Sequence, residues 1–230
     1  MTTTNPKSWL DWHLKHGSHE FPGPDGGTCI NEAALVVAGF AYREVTSLLD
    51  LPESFCPVIS QYALSLNDAM PEGPVLDRLR PFAARLSGSS DGRSVADTRG
   101  TFLALEAART FAPLALETVD PAAAARLRAT ETPEQAMAVT SELVTQDWPD
   151  NVREAVGAAH RALGRCLTAR EAIYTAELSA VCAIRAATVD ARAWDAAIET
   201  LEALLAIGRQ ADPIDVQLIE DRAARVLATV

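Results

Sequence analysis

The chain has 230 residues and a mass of 24.6 kDa, enough for one or two domains. Its 48% apolar and 22% charged residues exclude a disordered chain, and four cysteines are too few for a disulfide scaffold. With 31 acidic against 20 basic side chains the net charge is -11, a sign that repels phosphate backbones and anionic membranes and argues against either as a direct partner. No apolar run reaches the ~18 residues of a membrane span, and the first thirty residues lack the apolar stretch of a signal peptide. The chain therefore reads as soluble and cytoplasmic.

The two parts of the sequence differ in composition. Residues 1–100 hold 9 of the 42 alanines but 9 of the 12 glycines and 8 of the 13 prolines. The first part is predicted to be short elements joined by shaped loops, and the second to be long alanine-rich helices. No segment shows the apolar–polar alternation rich in Val, Ile and Thr that a half-buried strand needs. The predicted class is all-α, a compact multi-helix bundle, with a helical subdomain over 1–90 and an alanine-rich bundle over 95–230.

In chain order, Asn5 before Pro6 and Gly17 at the far end bound a predicted helix over 6–16. Thr28 caps the next, which runs through Phe40 with Ile30, Ala33, Ala34 and Val37 on one face. Pro57 opens a third through Asn67, carrying Val58, Tyr62 and Leu66 at helical spacing. Pro74 opens a fourth that stops at Leu86–Gly88, and residues 87–93 form a loop suited to a subdomain boundary. Further helices are predicted over 95–118 with a kink at Pro113, and over 133–146 from the Thr132–Pro133 start. The last are 150–188 in one or two segments, 190–207 ended by Gly208, and 213–228 opened by Asp212–Pro213.

Residues able to do chemistry gather near the N-terminus. His13, His16 and His19 fall within seven positions, and Cys29, Glu32 and Cys56 follow. The segment from Gly17 to Thr28 holds four glycines and two prolines, a shaped loop that carries His19 toward the helix beginning at Cys29. Cys29 and Cys56 both stand at helix starts, where unpaired N–H groups and the helix dipole favour thiolate over thiol. Glu32, one helical turn after Cys29, shares its face.

Three readings fit this cluster. It is a metal site, zinc first, built from His19, Cys29, Cys56 and either His16 or Glu32. Or Cys29 is a nucleophile with His19 or His16 as its base and Glu32 orienting or protonating. Or these are packing residues, since cysteine is among the most buried side chains and an acid in a first turn complements the helix dipole. Cys166, Cys182 and His160 read as core, and Asn67–Asp68 as a helix end, with Asp68 as a ligand or acid near the Cys56 helix the functional alternative. The serine-elbow, P-loop and dinucleotide fingerprints are absent from the sequence.

The blocks Cys29-Ile30-Asn31-Glu32-Ala33, Ala38-Gly39, Cys56-Pro57-Val58-Ile59, Leu66-Asn67-Asp68-Ala69 and Leu79 to Gly88, with Gly17 and His19 before them, resemble a broad family of uncharacterised actinobacterial and phage proteins. The resemblance covers residues 15–90 and, loosely, the alanine-rich tail. It implies no particular activity. The leading functional expectation is a metal or reactive-thiol site acting on a small molecule held beside the alanine-rich helices. The others are a protein-binding module of phage or host-interaction type, and a structural helical homodimer or adaptor.

Overall fold

The computed structural model describes residues 12–17, 27–169, 171–208 and 216–228. The fold is all-α, and it divides into two compact units: residues up to Ser90 together with the C-terminal helix, and Asp91–Gly208. The C-terminal helix thus groups with the N-terminal unit and not with the alanine-rich bundle.

The N-terminal unit opens on two short parallel strands, β1 (His13–Leu14) and β2 (Gly27–Thr28), in register His13 to Gly27 and Leu14 to Thr28. This corrects the expected helix over 6–16 for its described residues; positions 6–11 lie outside them. Lys15 N–H extends the pairing by donating to Thr28 O at 3.0 Å. Helix α1 (Ile30–Val37) follows, and all eight of its residues are buried. A helix buried on every side is a core element, and the two polar side chains of α1, Asn31 and Glu32, are buried with the rest. It begins later than Thr28 because Cys29, not Thr28, is the N-cap.

A 3-10 turn at Leu48–Asp50 precedes α2 (Pro57–Asn67), whose bounds match the expectation: Pro57 at the first helical position needs no N–H partner. After α2 a 3-10 stretch at Leu76–Phe82 runs into α3 (Ala83–Leu86), where a single regular helix from Pro74 was expected. Ser87 pairs with Phe55 in an isolated bridge, and Ser90 N–H donates to Ser54 O at 3.1 Å, so the end of the unit is fastened to its own interior. The final helix turns Ile219, Ala223 and Val226 inward at helical spacing, and Arg222 lies against Gly39.

In the second unit α4 (Arg93–Glu106) passes through a π-helical turn (Ala107–Phe111) into α5 (Ala112–Leu116). Pro113 has no N–H for the carbonyl four residues back, and the π turn just before it absorbs that mismatch by sending Ala112 N–H to Ala107 O. Next come α6 (Pro121–Arg128), capped by Asp120 and missed by the sequence reading, and α7 (Pro133–Leu143), capped by Thr132. Helix α8 (Asp150–Gly164) ends in a second π turn (Arg165–Ala169) before α9 (Ala172–Ala187), and α10 (Arg192–Ala206) stops at Gly208 with φ +95°. The C-terminal helix described above is α11 (Val216–Leu227); its expected start at Asp212–Pro213 lies outside the described residues.

Small side chains set how closely these helices approach. A Cβ on Gly100 of α4 would stand 2.8 Å from the Ala172 Cβ of α9, so only glycine permits this crossing. On α9, Ala176, Ala180 and Ala183 are fully buried; Ser179 Oγ donates to its own helix or to Leu103 O of α4. Cys182 is core as expected, its thiol lying against Ala107 O and Ala155 O. The unit is closed at its ends by one guanidinium: buried Arg99 donates from Nη2 to Asp91 Oδ2 at 2.9 Å and to Ile207 O at 2.7 Å. Gly208 is required beside it, because a Cβ there would sit 2.6 Å from Asp91 Oδ2. Among the described residues no helix is long and apolar enough to cross a membrane.

Candidate functional site

In the N-terminal unit the expected residues assemble into a hydrogen-bonded hub. Cys29, with extended backbone (φ -81°, ψ 164°), closes a capping box on α1: its Sγ accepts from Glu32 N–H at 3.4 Å, and Glu32 Oε2 accepts from Cys29 N–H at 3.0 Å. The other carboxylate oxygen of Glu32 accepts from Val45 N–H at 3.3 Å. Glu32 is fully buried, and both oxygens are tied to backbone.

Asn67 does comparable work from the end of α2. Its Oδ1 accepts from Ile30 N–H at 3.1 Å and its Nδ2 donates to Lys15 O at 2.7 Å, so one buried amide ties α1 to the segment after β1. Asp68 Oδ1 accepts from Gly17 N–H at 2.9 Å. The sequence reading treated this pair as a helix end, which it is; the buried reach of Asn67 across three segments was not foreseen.

These contacts change the chemistry expected of Cys29. Burial pushes its thiol well above the ordinary value, and the Glu32 charge pushes in the same direction; the backbone hydrogen bonds that favour thiolate are the smaller effect. Desolvation thus outweighs the helix start at Cys29, and the thiol, not the expected thiolate, is the favoured form. Cys56 is also buried; it occupies the N-cap of α2 as expected, but its side chain makes no capping bond, and its N–H donates to Ser89 Oγ at 3.0 Å.

His16 turns elsewhere. Its Nε2 is 2.7 Å from Met70 O and its Nδ1 3.9 Å from Glu72, while His13 faces Asp77 at 3.5 Å. Among the described residues no three His, Cys, Asp or Glu side chains converge into a metal-holding group, so His16, Cys29, Glu32 and Cys56 do not form one by themselves. His19 lies outside the described residues.

The second unit holds a feature the sequence reading missed. A cleft of about 780 Å³ opens along α4, bounded by the first turns of α7 and α9 and by the π turn after α8. Arg93, Asp97, Thr98, Thr101, Glu134 and Cys166 reach into it. Cys166 packs against the core formed by Ala104, Ala108, Ala136 and Leu163, as expected, but is only partly buried and borders the cleft; its Sγ is 3.5 Å from Thr101 Oγ1. Arg93, Asp97 and Glu134 form no ion pair among the described residues. The sequence signal was present in the polar run Asp97-Thr98-Arg99-Gly100-Thr101, with its mid-helix glycine.

A smaller groove of about 400 Å³ lies over the first π turn, lined by Arg109, Arg128 and Arg192 among others. Two of these guanidinia are already engaged, Arg128 by Glu117 and Arg192 by Asp190, and the Arg128 contact holds the Glu117 carboxyl below its usual range. His160 packs as expected, its Nδ1 3.2 Å from Thr140 Oγ1.

Together the fold and these sites define an all-α protein of two compact units with a buried polar hub in one and a polar cleft in the other. Comparison of the chain with family models, with curated proteins and with solved structures finds no match.

Proposed function

We propose that this is a non-catalytic small-molecule-binding protein, and that residues 91–208 hold the ligand in the cleft along α4. The observation that carries this reading is the cleft itself. Its volume of about 780 Å³ lies within the roughly 300–1,000 Å³ range of small-molecule sites, and it is lined by charged side chains that have no ion-pair partner among the described residues. The N-terminal hub supports the non-catalytic half of the reading. A nucleophile needs a thiolate, and burial keeps Cys29 protonated; a general acid or base needs a carboxyl free to exchange a proton, and both oxygens of Glu32 hold backbone N–H groups.

Ligand-observed NMR with a fragment library tests the proposal on the full chain. Thr98→Trp places an indole in the cleft from an exposed position on α4. Fragments that bind the unsubstituted protein should lose their saturation-transfer signal with the variant. Equal binding to both proteins, or no binding fragments at all, would overturn the reading.

A further inference from the structure

Resting on that reading, we infer that the cleft takes a small organic cation whose charge is carried by N–H donors, a primary ammonium or a guanidinium. The threonine hydroxyl groups that line the cleft have their protons already committed. A threonine hydroxyl has one proton to donate and two lone pairs to accept with. Thr98 Oγ1 donates to Ser94 O at 3.1 Å, Thr101 Oγ1 to Asp97 O at 3.1 Å, and Thr175 Oγ1 to Glu171 O at 3.0 Å. All three direct their proton into the backbone of their own helix segment, so what they have left for a ligand is acceptor capacity. At Thr101 one lone pair already receives the Cys166 thiol.

The charged groups act in the same sense. Asp97 on α4 and Glu134 at the start of α7 contribute acceptor-only carboxylates to the cleft, and neither is neutralised by an ion pair among the described residues. Among the described lining residues the opposing charge is Arg93, one helical turn from Asp97, about 6 Å along the axis. Arg93 and Asp97 stand at i and i+4, yet they make no ion pair with each other. The basic-before-acidic order is the weaker one on a helix, which leaves the Asp97 carboxylate available. Arg93 repels a cation, which leaves the two carboxylates as the charged groups such a ligand can pair with. A wall of carboxylates and threonine lone pairs is satisfied by a ligand that supplies several N–H donors and a positive charge. An anionic or acceptor-rich ligand finds donors at Arg93 but meets repulsion and unmatched lone pairs at Asp97, Glu134 and the threonines.

Isothermal titration of the full chain in about 150 mM salt, where long-range attraction to an acidic protein is screened, tests the inference. The probes are agmatine, putrescine and permethylated putrescine, which keeps both charges but has no N–H. Agmatine or putrescine should bind saturably, with the permethylated diamine at least about tenfold weaker. Asp97→Asn and Glu134→Gln should each weaken binding by about tenfold, with thermal unfolding unchanged as the folding control. The inference is overturned if neither amine saturates, if permethylated putrescine binds as tightly as putrescine, or if both variants bind as the unsubstituted chain does. Amines failing while other fragments still bind in a Thr98→Trp-sensitive manner would remove only the cation. Fragments indifferent to Thr98→Trp would remove the cleft reading itself.

Discussion

The hub of the N-terminal unit and the cleft of the second use polar side chains in opposite ways. In the N-terminal unit, Glu32, Asn67 and Asp68 each accept backbone N–H groups, and the two buried ones, Glu32 and Asn67, tie α1 to the loops around it. Along the cleft of the second unit, Arg93, Asp97 and Glu134 have no ion-pair partner among the described residues, and the threonines beside them hold out lone pairs. Rare residues gathered in sequence attract attention first, but in a small unit with short helices they are what satisfies the backbone. A buried carboxylate that receives two N–H groups has its hydrogen-bonding capacity directed inward; one on the wall of a cleft can still meet something new.

The sharpest way to break this contrast is to ask which polar groups the fold depends on. The largest loss is expected outside both sites, at Asp91→Ala, which leaves the buried Arg99 guanidinium without its carboxylate: about 3–5 kcal/mol, read by chemical denaturation. Glu32→Ala should cost about 2–5 kcal/mol, because Cys29 N–H and Val45 N–H lose their acceptor inside the unit. A loss below about 1 kcal/mol would show that the hub is not structural and reopen it as a site.

A pH experiment probes the same burial. The thiols of Cys29 and Cys182 are both pushed up by desolvation, so the folded state holds them neutral where the unfolded chain ionises them. Their contribution is complete below the ordinary thiol pKa of about 8.5 and is lost as pH rises beyond it. The fall in stability between pH 7.5 and 9.5 should be smaller for a Cys29→Ala/Cys182→Ala variant than for the unsubstituted protein; equal slopes would contradict the burial. The smallest effect is expected in the cleft, where Asp97→Asn and Glu134→Gln should each stay within about 0.5 kcal/mol of the starting stability. Destabilisation there comparable to Glu32→Ala would erase the contrast between the units.

Local chemistry made much of the fold legible. Pro57 and Thr132–Pro133 start helices where expected because capping and N1 proline act within one turn, and Gly208 ends α10 because its φ of +95° suits a residue without Cβ. Asp120–Pro121 carries the same kind of start signal and was passed over. What the sequence hid depends on distant partners. The two-residue β1 exists through pairing with Gly27–Thr28, and the cap of α1 falls on Cys29 because Glu32 completes the box from within the helix. Cys29 and Glu32 were recognised as neighbours, yet their role turned on burial, which spacing does not reveal. The cleft was harder still: Asp97, Thr98 and Thr101 match no motif, and they become a wall only where α7 and the second π turn stand opposite them.

The Arg99 contact carries a consequence for how the chain can be handled. One guanidinium touches both Asp91 and the carbonyl of Ile207, so the first and last residues of the alanine-rich body are near neighbours. A segment whose entrance and exit share a doorway can be lifted into a host loop, or sealed head to tail and reopened elsewhere, with little spacer to bridge.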